Sequence, residues 1–111
     1  MQAELFACRH LQQQGLTLVT RNFRCKVGEI DLVMQQGDTI VFVEVRYRKS
    51  DRYGSAAESV DFRKQRKLIN TALFFMQKYD PRLQRPYRFD VVAIEGEPPH
   101  DARVKWISPA F

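Results

Sequence analysis

GEIDLVMQQGDTIVFVEVRYR, residues Gly28 to Arg48, is the stretch on which the reading of this chain turns. Ile30, Leu32 and Met34 alternate with Glu29, Asp31 and Val33. After Gln35-Gln36-Gly37-Asp38 the chain resumes from Thr39 to Arg48 in mostly β-branched residues. Alternation, a glycine-containing break and a second β-rich run predict a hairpin. With a two-residue loop at Gln36-Gly37, or a four-residue loop from Gln36 to Thr39, paired positions sum to an odd number. One face then collects Ile30, Leu32, Met34, Val41, Val43 and Val45, and the other Glu29, Asp31, Phe42, Glu44 and Arg46. A three-residue loop would mix carboxylates with valines on both faces, and an unpaired carboxylate in apolar surroundings is costly. The odd-sum register is therefore expected, with Asp31 beside or opposite Glu44.

Carboxylates gathered this way suit a hard divalent ion, which takes oxygen ligands and keeps waters. Such an ion can polarise a phosphoryl oxygen and lower the pKa of a bound water. The same pattern also suits a solvated sheet face carrying cross-strand charge pairs.

Outside the hairpin, the 111 residues, 44% hydrophobic and 28% charged, predict a single globular domain spanning 1–111. There is no apolar run near the roughly 20 residues of a membrane span and no basic leader ahead of an apolar segment, so a cytoplasmic protein is expected. Cys8 and Cys25 form no CxxC pair and read as reduced thiols, and His10 and His100 stand outside any zinc pattern. The formal net charge is +5. Residues 46 to 67 account for it, with Arg46, Arg48, Lys49, Arg52, Arg63, Lys64, Arg66 and Lys67 against Asp51, Glu58 and Asp61 (8 − 3 = +5). A basic field directly after an acidic cluster is what a phosphodiester-binding site needs, although a basic segment can equally be a solvated face.

Taken in order, Gln2 to Gln14 predicts a helix with Ala3, Phe6, Ala7, His10 and Leu11 on one side and Gly15 as its stop. Glu4 lies in the first turn, where a carboxylate suits the helix dipole. Leu16 to Arg24 predicts a first strand. Ser50 to Ala57, containing Tyr53-Gly54-Ser55, reads as a loop. A long helix follows, capped by Ser59 or Asp61 and running to about Tyr79, with Leu68, Ile69, Ala72, Leu73 and Met76 as its expected core stripe. Lys64 and Lys67 share a face, next to Arg63 and Arg66. Cations in the opening turns oppose the helix dipole, so something must compensate them, an anionic ligand being one candidate. Tyr87 to Glu95 predicts an apolar strand in which Asp90 reads as a paired structural carboxylate. Gly96 to His100, with Pro98-Pro99, reads as a turn, and Ala102 to Ile107 as a last, edge strand. The order αβββαββ implies an α/β or α+β sandwich with the long helix as a crossover on one sheet face.

Asp31 on one strand, followed by Glu44-Val45-Arg46 on the next, resembles the core of the PD-(D/E)XK nucleases. More closely, the chain resembles the YraN family of small bacterial proteins, themselves similar to archaeal Holliday junction resolvases and predicted to be endonucleases. The resemblance is carried by Glu4, Ala7, Leu11, Gly15, Asn22-Phe23-Arg24, Gly28-Glu29-Ile30-Asp31-Leu32, Val41-Phe42-Val43-Glu44-Val45-Arg46, Tyr53-Gly54, Lys64, Arg88-Phe89-Asp90-Val91 and Ala110-Phe111. It implies a restriction-endonuclease-like sandwich, with a mixed central sheet flanked by helices. It further implies Mg²⁺ or Mn²⁺ bound by Asp31, Glu44 and the carbonyl of Val45, with Glu4 and Glu29 able to hold a ligand water or a second ion. Lys64 would contact phosphate or orient the attacking water. The basic segment, through Arg46, Arg48, Lys49, Arg52, Arg63, Lys64 and Lys67, would hold branched DNA or RNA, and the resolvase likeness implies a homodimer. Two departures stand out. The family's glycine-rich lead-in before Glu4 has no counterpart, and Arg46 occupies the position of the motif lysine. An arginine stays protonated and cannot take a proton from water, yet it can stabilise charge on a phosphorane. Three readings follow: a metal-dependent endonuclease, a nucleic-acid-binding module with a lapsed active site, and a protein-interaction domain whose basic helix face docks an acidic partner.

Overall fold

A computed structural model describes residues 2–49, 60–96 and 102–111. The loop at Tyr53-Gly54-Ser55, the candidate cap Ser59, Arg52 and the Pro98-Pro99 turn lie outside the described residues. The element order is α1 (Gln2–Gln13), β1 (Thr17–Cys25), β2 (Gly28–Gln36), β3 (Thr39–Arg48), α2 (Phe62–Tyr79), β4 (Tyr87–Glu95) and β5 (Arg103–Ile107). This is the αβββαββ order expected. The strands form one five-stranded sheet in sequence order, antiparallel except for the parallel β3–β4 pair. A parallel pair needs a crossover, and α2 is that crossover. No described helix is long and apolar enough to cross a membrane.

The hairpin register is odd-sum, with Leu32 opposite Val43, Met34 opposite Val41 and Gln36 opposite Thr39, so that Gly37-Asp38 forms the loop. Gly37 has φ +59, the left-handed conformation such a tight loop needs. The expected division into one apolar and one polar face is corrected, because both faces are covered. Leu32, Met34, Val41 and Val43 pack with Ala3, Ala7, Cys8 and Leu11 of α1 and with Val92 and Ile94 of β4. Ile30, Val33, Ile40 and Phe42 pack with Leu68, Ala72, Phe75 and Met76 of α2. Each fully buried aliphatic side chain contributes about 1.5–3 kcal/mol.

Ile30 is the residue that changes sides. It stands two positions before Leu32 yet packs beneath the opposite helix. On β1 their partners are Phe23 and Arg21, and Asn22 between those partners has φ +53. Asparagine tolerates that conformation better than most residues, so the strand pair can turn over at Asn22 and Asp31.

The core stripe of α2 also differs from expectation. Leu68, Thr71, Ala72, Phe75 and Met76 are buried, while Ile69 and Leu73 are exposed. Thr71 can be buried because its hydroxyl donates to the Lys67 carbonyl at 2.8 Å. Phe75 meets Phe23 and Phe42 edge-on, with ring centroids 5.3 and 5.8 Å away. Asp90, 1% exposed, is a paired structural carboxylate as expected. It accepts from Arg88 Nε at 3.0 Å and from Trp106 Nε1 at 2.9 Å.

Candidate active site at the fork of the central hairpin

The β2–β3 ladder is continuous from the loop to Leu32–Val43. One step further on, Val45 N–H donates to the Asp31 carboxylate, Oδ2, at 2.8 Å. Beyond that point β3 runs beside β4, and β2 continues towards its turn with β1. The hairpin therefore opens into a fork with Asp31 in its crotch.

Burial, followed by the hydrogen bond with Glu44, pushes the Asp31 carboxyl up to about 7 from its ordinary 3.8. Glu4 reaches Asp31 from the first turn of α1. Its carboxyl is also raised, by burial first and then by the Asp31 charge, with a smaller contribution from Glu29. Both shifts disfavour the charged form, as expected for like charges brought together in partly buried surroundings. The cluster is a chain, Glu4 to Asp31 to Glu44. Among the described residues, no three acidic, histidine or cysteine side chains close around one point as a preassembled metal cage. An open carboxylate pair that leaves positions to water is still the kind of donor set that suits Mg²⁺ or Mn²⁺.

Glu44 meets Lys64 Nζ at 3.3 Å, the glutamate side chain 15% exposed and the lysine 52%. Lys64 is also held through its backbone, whose N–H donates to Asp61 Oδ1 at 2.8 Å as α2 begins. Asp61 is the N-cap. The basic opening turns of α2 are therefore offset by the Asp61 cap and by Glu44 across the groove. Arg46 lies two residues beyond Glu44, and with Arg48, Asp61 and Lys64 it lines a groove of about 280 Å³.

The remaining candidates are dispersed. Glu29 pairs with Arg24 Nε at 3.1 Å. Lys67 lines a separate groove of about 410 Å³ together with Arg24, Gly28, Glu29 and Lys64. Arg63 lines neither groove and shares a shallow surface with Phe62, Arg66, Lys67 and Asn70. Lys49 is exposed at the end of β3. Arg24 was not among the sequence candidates. The parity argument applied to the Cys25–Gly28 turn would have put it opposite Glu29, as observed.

The fold and site define a mixed α/β domain that carries an acidic cluster at the open end of its central hairpin. Residues 3–94 match the pattern of the uncharacterised protein family UPF0102, and the chain belongs to that family, the YraN group. A relative from Pseudomonas syringae pv. syringae is 56% identical over 110 residues, covering 99% of this chain and 89% of its own. Another, from Stutzerimonas stutzeri, is 51% identical, covering 98% of this chain and 90% of its own. Both are named only as UPF0102 proteins. Among solved structures, Pyrococcus furiosus SfsA in complex with Ca²⁺ aligns with a TM-score of 0.38 at 13% identity. That alignment covers 93% of this chain and 59% of SfsA.

Proposed function

We propose that this protein is a metal-dependent endonuclease that hydrolyses phosphodiester bonds in structured or branched DNA. The observation that carries the reading is the Asp31 carboxylate, held in the crotch of the fork by Val45 N–H while it shares hydrogen bonds with Glu44. Stability alone gives no reason to open a ladder there and bury carboxylates side by side, a type of site where perturbed acids commonly serve function. Asp31 and Glu44, with the neighbouring Val45 carbonyl, would hold Mg²⁺ or Mn²⁺, and Glu4 would hold a ligand water. The ion supplies Lewis acidity at a phosphoryl oxygen and a lowered pKa for its bound water.

The chain's own groups do the rest. Lys64, paired with Glu44, would offer its ammonium to a phosphate. Arg46, in the same groove, is suited to charge developing on the phosphoryl oxygens and not to proton removal. Asp31, raised to about 7, has to lose its proton before its carboxylate is fully available as a ligand.

Arg46 also favours a second reading, a nucleic-acid-binding module whose hydrolytic step has lapsed. One experiment separates the two. Mg²⁺ and Mn²⁺ are titrated calorimetrically into the wild type and the Asp31→Ala/Glu44→Ala variant, and both proteins are then incubated with four-way-junction, flap and single-stranded DNA. Ion binding and strand cleavage by the wild type alone are expected. Equal DNA binding by both proteins with no cleavage by either would replace the nuclease reading with the binding module.

A further inference from the structure

The groove of about 410 Å³ beside the fork has no role so far. Its walls are the β1–β2 turn and the first half of α2, and Arg24, Lys64 and Lys67 give it three cations against the single carboxylate of Glu29. The walls stand close because Gly28 has no side chain; a Cβ there would lie 2.8 Å from Thr71 Oγ1. Lys64 lines both this groove and the one containing Glu44 and Arg46, so the two adjoin at the partner of Glu44. Arg24 and Glu29 are 74% and 59% exposed. An ion pair that exposed is worth little, and a phosphate can take the guanidinium from the carboxylate.

We infer that this groove is the track for the nucleic-acid backbone leading away from the fork, with Arg24 and Lys67 as its phosphate contacts and Glu29 as the anion that holds Arg24 until a phosphate displaces it. The inference rests on the proposal that the fork acts on nucleic acid, and it goes further in two respects. It adds Arg24 to the binding residues, and it makes Glu29 a competitor of the substrate and not a ligand of the ion. It also divides the cations of α2. Lys67 lines the track as well as the shallow surface of Phe62 and Asn70, whereas Arg66 lines that surface and not the track.

The test measures affinity for a fluorescein-labelled four-way junction by anisotropy across a salt series. The buffer contains chelator, so that hydrolysis plays no part. Arg24→Gln/Lys67→Gln should bind about tenfold or more weakly, with the slope of log K against log salt reduced by about two. Arg66→Gln removes the same kind of charge and should change binding less than about twofold. Glu29→Gln should bind about two- to fivefold more tightly than wild type, and its calorimetric Mn²⁺ stoichiometry should match that of wild type.

If Arg66→Gln weakens binding as much as the groove pair does, the attraction is a diffuse surface field and the track is wrong, while cleavage dependent on Asp31 could still stand. Weaker binding by Glu29→Gln, or a lost equivalent of Mn²⁺, would return Glu29 to the metal site and overturn its role here. A wild type that shows the groove-dependent pattern but never cleaves DNA would uphold the track and sink the hydrolytic reading alone.

Discussion

The two ends of the central hairpin are built on opposite principles. At the closed end, from Leu32–Val43 to Gln36–Thr39, every step is a ladder pair, and apolar side chains are buried beneath both helices. At the open end the ladder gives way, Asp31 takes the amide of Val45, and the space is filled by carboxylates and the cations opposed to them. Packing holds the first end in place. The second is held by the first, so charged groups that would destabilise an isolated strand pair can be kept together there. The comparison separates residues that maintain the fold from residues that the fold maintains.

The largest effect should come from the closed end. Phe42, 1% exposed and in ring contact with Phe75 and Phe89, should lose about 3–5 kcal/mol of stability on replacement by alanine. Urea denaturation measures this, and a loss below 1 kcal/mol would mean the closed end is not what anchors the fork. Gly28→Ala comes next. Its Cβ would press on Thr71 Oγ1 at 2.8 Å, and separating β2 from α2 should cost about 1–3 kcal/mol. The double variant Gly28→Ala/Thr71→Ala should recover part of that loss; no recovery would locate the strain elsewhere.

Asp31→Asn should act in the opposite direction. The folded-state value near 7 lies above the ordinary 3.8, so between these limits the native state binds the proton that the unfolded state has released. Wild-type stability from this group therefore falls as pH rises from about 4 to 7 and stays at its lowest above that. Asparagine does not titrate, and its carbonyl can still accept from Val45 N–H. The variant's urea midpoint in chelator should exceed wild type at pH 8 by more than at pH 5. A difference independent of pH would show that Asp31 does not carry the proton. The smallest effect on stability belongs to Lys64→Ala. Removing a half-exposed partner of Glu44 should change stability by less than about 1 kcal/mol. Cleavage under Mn²⁺ should fall at least tenfold in the same variant, and an unchanged cleavage rate would remove Lys64 from the site.

Much of the closed end can be read from sequence. Alternation and the glycine-containing break predict the odd-sum pairing, whereas the loop itself, Gly37-Asp38, is neither the Gln36-Gly37 nor the Gln36-to-Thr39 loop expected. The faces beyond Leu32 are harder, since a sheet covered on both sides loses the contrast between apolar and polar positions, and Ile30 crosses sides where Asn22 adopts φ +53. In α2, Ile69 and Leu73 are as apolar as their buried neighbours. Only the helix's contact with Phe23 and Phe42 selects Phe75, and only a hydroxyl bonded within its own turn permits Thr71. The approach of Asp31 to Glu44 follows from parity, but the contact of Glu4 with Asp31 depends on how α1 docks, which no local pattern encodes. Arg24 was legible in principle. It was missed because it lies outside the basic segment where the net charge accumulates.

The bond from Val45 N–H to Asp31 Oδ2 gives the site an internal indicator. Most amides along this strand answer to a peptide carbonyl, whose charge never changes, whereas this one answers to a group that titrates near neutrality. The ¹⁵N and ¹H resonances of Val45 should shift with pH along the Asp31 titration and again when a cation replaces the proton. Occupancy of the fork can then be followed at one backbone nucleus, without substrate and without altering any side chain.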